Sequence, residues 1–166
     1  MSFRYATTLA ACLAACAASA GVNPIPPGLV GTWQLQSRTD RTADGHAIPE
    51  PSLGAHPIGY LIYDNAGHVA AQLSASDRVD LTCAVTSAAR SNNPAHIAGY
   101  DAYFGRYEVD AQAGVVTHIM DGALSPHDVG RRITRRFHLE GDTLTIQFEP
   151  GSAGVTRTII WKRISK

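Results

Sequence analysis

From Gly31 onward, short runs rich in β-branched and aromatic residues alternate with turn-length clusters of Gly, Asn and Asp. Asp64-Asn65-Ala66-Gly67, Asp110 to Gly114, Glu140-Gly141-Asp142 and Pro150 to Gly154 are such turns, each with a Gly available for positive φ. Strands that reverse through so few residues lie antiparallel beside one another, since a parallel return needs a long crossover. The pattern predicts eight strands, at about 31–38, 58–63, 68–74, 102–109, 115–121, 132–139, 143–149 and 155–163. The fold class that follows is all-β, an eight-stranded antiparallel up-and-down barrel, because a meander of that size can close and leave no exposed edge.

Two connections break the rhythm. Thr39 to Pro57 reads as a long, Pro-rich polar loop. Ala75 to Tyr100 is longer, and within it Asn93-Pro94 supplies an N-cap followed by Pro at the first helical position, which predicts a short helix from about Pro94 to Tyr100. Long insertions of this kind tend to serve function.

The start of the chain is read as an export signal and excluded from the fold. Arg4 gives a positive n-region, Ala6 to Ala18 is an almost uninterrupted small-apolar run, and Ala18-Ser19-Ala20 offers a cleavage site. Leu13-Ala14-Ala15-Cys16 also resembles the box at which bacterial lipoproteins are lipidated, so a lipid anchor on Cys16 is the alternative to periplasmic or secreted release. The expected domains are a signal at 1–20, a Pro-rich linker at 21–28 and one barrel at 29–166. Cys83 is then the one internal cysteine, which leaves no internal disulfide. Lys plus Arg and Asp plus Glu number 14 each, with no basic tract, so no footprint for nucleic acid is present and any membrane contact would come through Cys16. A monomer or weak dimer is expected.

Alternate residues of a strand share a face, so apolar parity identifies the interior. Ile133, Phe137 and Leu139 share a face and carry Arg135 inward with them, while Thr134, Arg136 and His138 face solvent. An arginine inside a barrel costs several kcal/mol unless it is paired, so it needs an acid, a tyrosine or a ligand anion. Tyr103, Gly105, Tyr107 and Val109 share one face, and Gly105 leaves room for something to approach. Leu61, Tyr63, Val69, Ala71 and Leu73 read as inward, Gln72 and His68 as outward. Val115 to Met120 is apolar on both parities, so two registers stay open: Val109 opposite Val116, which sets Tyr107 against His118 and Gly105 against Met120, or Val109 opposite Val115, which puts Thr117 there instead.

No metal-ligand spacing joins the seven histidines or the cysteines, and no nucleophile elbow, P-loop or dinucleotide fingerprint is present; no cofactor is expected.

Leu29-Val30-Gly31-Thr32-Trp33, Gly59-Tyr60-Leu61-Ile62-Tyr63, Tyr103 to Val109, Val116-Thr117-His118 and Arg135-Arg136-Phe137 before Gly141-Asp142 resemble, in that order, the bacterial and fungal lipocalin-like domain family of the calycin group. The resemblance spans about Leu29 to Arg163. It implies a barrel with a cavity, a role for His118, and a structural seal in which Arg163 of the last strand stacks on Trp33 beside Gly31. The expected ligand is a small hydrophobic molecule, one with a polar or acidic head group included, with Tyr63, Tyr103, Gly105, Tyr107, His118, Met120, Arg135 and Phe137 as its candidate contacts. An isomerase, cyclase or lyase using His118, Tyr107 and Arg135 is the enzymatic alternative, and an envelope scaffold with a solid barrel is the third reading.

Overall fold

The structure, a computed structural model, describes residues 25–48, 53–78, 99–148 and 154–166. The export signal with Cys16, residues 21–24 of the linker, Cys83 and residues 94–98 of the helix expected from Pro94 lie outside the described residues. Nine strands follow one another: β1 (Gly31–Arg41), β2 (Ala47–Ile48), β3 (Ile58–Tyr63), β4 (His68–Ser74), β5 (Tyr100–Asp110), β6 (Val115–Ala123), β7 (Arg132–Glu140), β8 (Thr143–Phe148) and β9 (Thr156–Ser165). β1 and β3 to β9 pair antiparallel in sequence, and β9 returns to β1, so eight strands close into an up-and-down barrel. Among the described residues the helical element is a single 3-10 turn, Pro126–Asp128.

Several expected loop residues belong to strands. Thr39 to Arg41 continue β1, where Asp40 and Arg41 face Ile48 and Ala47 of the short β2 on one side and Arg157 and Thr156 of β9 on the other. Tyr100 begins β5, opposite Ser74, instead of ending a helix. A strand persists as long as a neighbour offers it backbone partners, which composition alone does not reveal.

The barrel has two unlike ends. At one, the chain turns through Asp64 to Gly67, Ala111 to Gly114 and Gly141-Asp142, and the segment before β1 lies across the opening. There Leu29 and Trp33 are both 0% exposed, and the Trp33 indole Nε1–H donates to the Leu29 carbonyl at 3.0 Å. The Arg163 guanidinium sits 4.0 Å from the Trp33 ring centroid and donates to the carbonyls of Val30 and Gly28. Gly31 has φ 138°, and a Cβ there would run into the Ser165 carbonyl, so this approach of β1 to the end of β9 requires glycine. The long connections leave and return at the other end, the mouth.

Of the two registers open for β6, the barrel takes the one with Val109 opposite Val116, Tyr107 opposite His118 and Gly105 opposite Met120. His118 therefore points inward. A bulge at Asp121 then restores pairing of Phe104 with Gly122. The neighbour that Gly105 admits is the Ile119 carbonyl of β6, which a Cβ would strike; the space kept free by this glycine is taken up by the bulged strand. A second bulge, at Gln36 against β9, reverses the parity of β1, so that Trp33 and Leu35 face in before it and Arg38 and Asp40 after it.

Candidate ligand-binding site

Strand alternation fills the closed half of the barrel with Trp33, Tyr63, Tyr107, Val109, Val116 and Leu144. Towards the mouth the inward side chains do not meet, and a cavity of about 210 Å³ remains. Its apolar wall is Leu61, Ala71, Leu73, Met120, Ile146, Ile159 and Trp161. Its polar wall is Tyr103, His118 and Arg135, with Arg38, Arg157, Asp101, Asp128 and Arg131 towards the mouth.

The charges in this wall are partly matched. Asp40, just behind it, accepts from Arg157 at 2.8 and 2.9 Å and lies 3.6 Å from Arg38. Burial acts to raise the Asp40 pKa, but the hydrogen bonds and charge of Arg157, with the charge of Arg38, outweigh it and hold the carboxyl below its ordinary value. Asp128 pairs with Arg131 at 2.7 Å. Among the described residues, four guanidiniums, Arg38, Arg131, Arg135 and Arg157, and three carboxylates, Asp40, Asp101 and Asp128, thus meet at this wall.

Arg135 has no carboxylate partner among the described residues. It is 3% exposed, its one hydrogen bond among those residues is a long one from Nη1 to the Ile133 carbonyl at 3.4 Å, and its Nε has no partner among them. Aromatic faces surround the cation instead: Phe148 at 4.7 Å and Tyr103 at 5.7 Å to the ring centroids.

Beside it, three rings form a chain. Tyr63 Oη lies 2.6 Å from His118 Nε2, and Tyr103 Oη lies 2.9 Å from His118 Nδ1. His118 is 1% exposed; burial first, and then the positive charge of Arg135, hold its pKa well below the usual histidine value. Burial likewise raises both tyrosines, Tyr63 strongly. All three rings are therefore neutral at physiological pH, and both imidazole nitrogens are already engaged.

Of the eight candidate contacts, Tyr103, His118, Met120 and Arg135 line the cavity. Tyr63 stands behind His118, and Gly105 backs the bulge. Tyr107 is inward but belongs to the closed half, where its hydroxyl donates to the Asp64 carbonyl at 2.6 Å and burial pushes its pKa up to about 12. Phe137 packs on the same closed half. Several lining residues escaped the sequence reading. Arg157 shares parity with Ile159 and Trp161, Phe148 with Ile146, and Asp101 with Tyr103, so alternation could have found them. Arg38 and Asp40 could not be found that way, because the bulge at Gln36 hides their parity.

A family model described as a lipocalin-like domain matches residues 30–164. The chain belongs to the lipocalin-like domain family. Two crystal structures resemble it: a lipocalin-like protein from Bacteroides uniformis ATCC 8492, at 17% identity and TM-score 0.44 over 82% of this chain and 99% of that one, and the lipoprotein YedD from Klebsiella pneumoniae subsp. pneumoniae MGH 78578, at 13% identity and TM-score 0.41 over 86% and 77%. No curated protein matches the chain. A lipocalin-like barrel is a container for a small molecule, and in this lipocalin-like domain the free volume lies at the mouth, against one buried cation and one phenol.

Proposed function

We propose that this lipocalin-like protein is exported and carries one small hydrophobic molecule whose acidic or carbonyl head group rests against Arg135 and Tyr103. The observation that carries the reading is Arg135 itself: a guanidinium 3% exposed, lining a cavity with one apolar wall, with no carboxylate partner among the described residues. A charge so placed costs several kcal/mol unless something repays it, and a ligand oxygen is the group the site lacks. Carriage is favoured over proton-transfer chemistry because both nitrogens of His118 are bound by phenols and Tyr107 points away to Asp64. Export rests on Arg4, the run from Ala6 to Ala18 and Ala18-Ser19-Ala20, with lipidation of Cys16 as the alternative; the domain then comprises residues 29–166 behind a linker at 21–28.

The test is mass spectrometry of an organic extract of the purified protein, joined to displacement of a fluorescent apolar probe. A co-purifying apolar acid or carbonyl compound, and probe binding weakened in Arg135→Met, are expected. Failure of any apolar probe to bind would end the reading. The mass of the mature N-terminus distinguishes cleavage after Ala20 from lipid on Cys16.

A further inference from the structure

The Tyr63–His118–Tyr103 chain holds more information than its distances. Tyr63 is 1% exposed, and among the described residues His118 Nε2 is the one hydrogen-bond partner of its hydroxyl. A buried O–H with no acceptor is costly, so the Tyr63 hydrogen belongs on Nε2. A neutral imidazole carries one proton, which must then sit on Nδ1 and be donated to the Tyr103 oxygen 2.9 Å away. Tyr103 can no longer give its own hydrogen to His118. Its O–H is turned out of the chain, and the space it shares with Arg135 is the cavity.

The opposite order leaves a flaw. Were Nε2 protonated, it would donate to Tyr63, and the Tyr63 hydrogen would be buried with nothing to receive it. Tyr103, at the cavity wall, can release its hydrogen to a ligand or to water; Tyr63, behind His118, cannot.

We infer that the cavity selects a single carboxylate, received jointly by the Arg135 guanidinium and by a Tyr103 O–H whose direction Tyr63 imposes through His118. The inference rests on the carrier reading above and deepens it. At that point the Arg135 guanidinium and the Tyr103 O–H are both donors, so an ammonium is disfavoured there, and a neutral carbonyl leaves the Arg135 cation unmatched. A volume of 210 Å³ equals that of roughly seven liquid waters, room for the body of about a six- to eight-carbon acid. Tyr63 and His118 are positioning residues.

The experiment has two arms, both on the intact protein freed of ligand. In the first, 15N-histidine NMR at neutral pH, with the His118 signals assigned by their loss in His118→Gln, reads the tautomer directly. Protonated Nδ1 with bare Nε2 is expected; a protonated Nε2 overturns the inference. In the second, calorimetric titration compares octanoate, octanamide and octylamine. Octanoate is expected to bind at least about tenfold more tightly than octanamide, with octylamine not bound, and Tyr63→Phe, a residue outside the cavity, to loosen octanoate several-fold while lowering the Nδ1–H signal. Equal affinity for octanoate and octanamide, or octanoate binding unchanged in Tyr63→Phe, overturns the inference but leaves the carrier standing. Failure of all three compounds to bind, and of apolar probes besides, defeats the carrier reading instead.

Discussion

Replacing Arg135 by Met is expected to make the ligand-free protein more stable. The guanidinium is 3% exposed, holds one stretched hydrogen bond of 3.4 Å to Ile133 and leaves Nε unpaired. Burial of such an ion costs several kcal/mol even after relaxation. Against this stand the Phe148 and Tyr103 faces at 4.7 and 5.7 Å, together about 1–3 kcal/mol, and a hydrogen bond of at most about 1 kcal/mol. The balance is unfavourable by about 1–3 kcal/mol. A methionine fills similar space, keeps favourable sulfur contact with the same two rings and brings no charge, so the variant should gain about that amount. In a domain of this size each kcal/mol moves Tm by about 2–4 °C. Urea unfolding with a common m-value is the measurement, because a change in midpoint at constant m isolates native-state stability. The variant should also lose its preference for carboxylates. A midpoint lowered by more than about 1 kcal/mol at unchanged m would refute the reasoning, since it would mean that Arg135 is well satisfied without a ligand.

The same substitution at Arg163 should act with the opposite sign: loss of the cation over Trp33 and of donors to the Val30 and Gly28 carbonyls should cost about 2–4 kcal/mol, seen as a lowered urea midpoint. His118, whose pKa is depressed in the folded state, binds its proton more readily when unfolded, so its contribution is complete above the unfolded value near 6.5 and is lost as pH falls from there towards the folded value. Between pH 7 and 5.5 the protein should lose roughly 1 kcal/mol more than His118→Gln, measured as the difference between their stability profiles; parallel profiles would show that His118 is not buried neutral. Tyr107→Phe should cost about 1 kcal/mol through the lost bond to the Asp64 carbonyl and leave octanoate affinity unchanged by calorimetry, because Tyr107 lies outside the cavity.

The candidate site was half legible in the chain. Inward parity placed Tyr103, Tyr107 and Arg135 on interior faces, and Ile133 and Phe137 made that reading firm because β7 carries no bulge. Parity did not show where a phenol ends. Tyr63 and Tyr107 are both inward, their rings 4.7 Å apart, yet one hydroxyl meets His118 and the other the Asp64 backbone. Sequence reasoning joined Tyr107 to Arg135; the barrel sets Tyr103 beside Arg135 and Tyr63 against His118.

What the sequence determined by itself was whatever is local. Turn clusters of Gly, Asn and Asp marked where strands reverse and period-two alternation marked which side chains face in, while the family resemblance pointed to Gly31, Trp33 and Arg163 at the sealed end. Tertiary structure decided the register of β6, which apolarity on both faces left open, and the two bulges, one of which turns Arg38 and Asp40 inward. It decided the hydrogen bond between Tyr63 and His118 as well, across 55 residues of chain. The reason is physical: alternation is a property of one strand, whereas register, bulges and hydroxyl partners are settled only when neighbouring strands compete to satisfy every buried polar group at once.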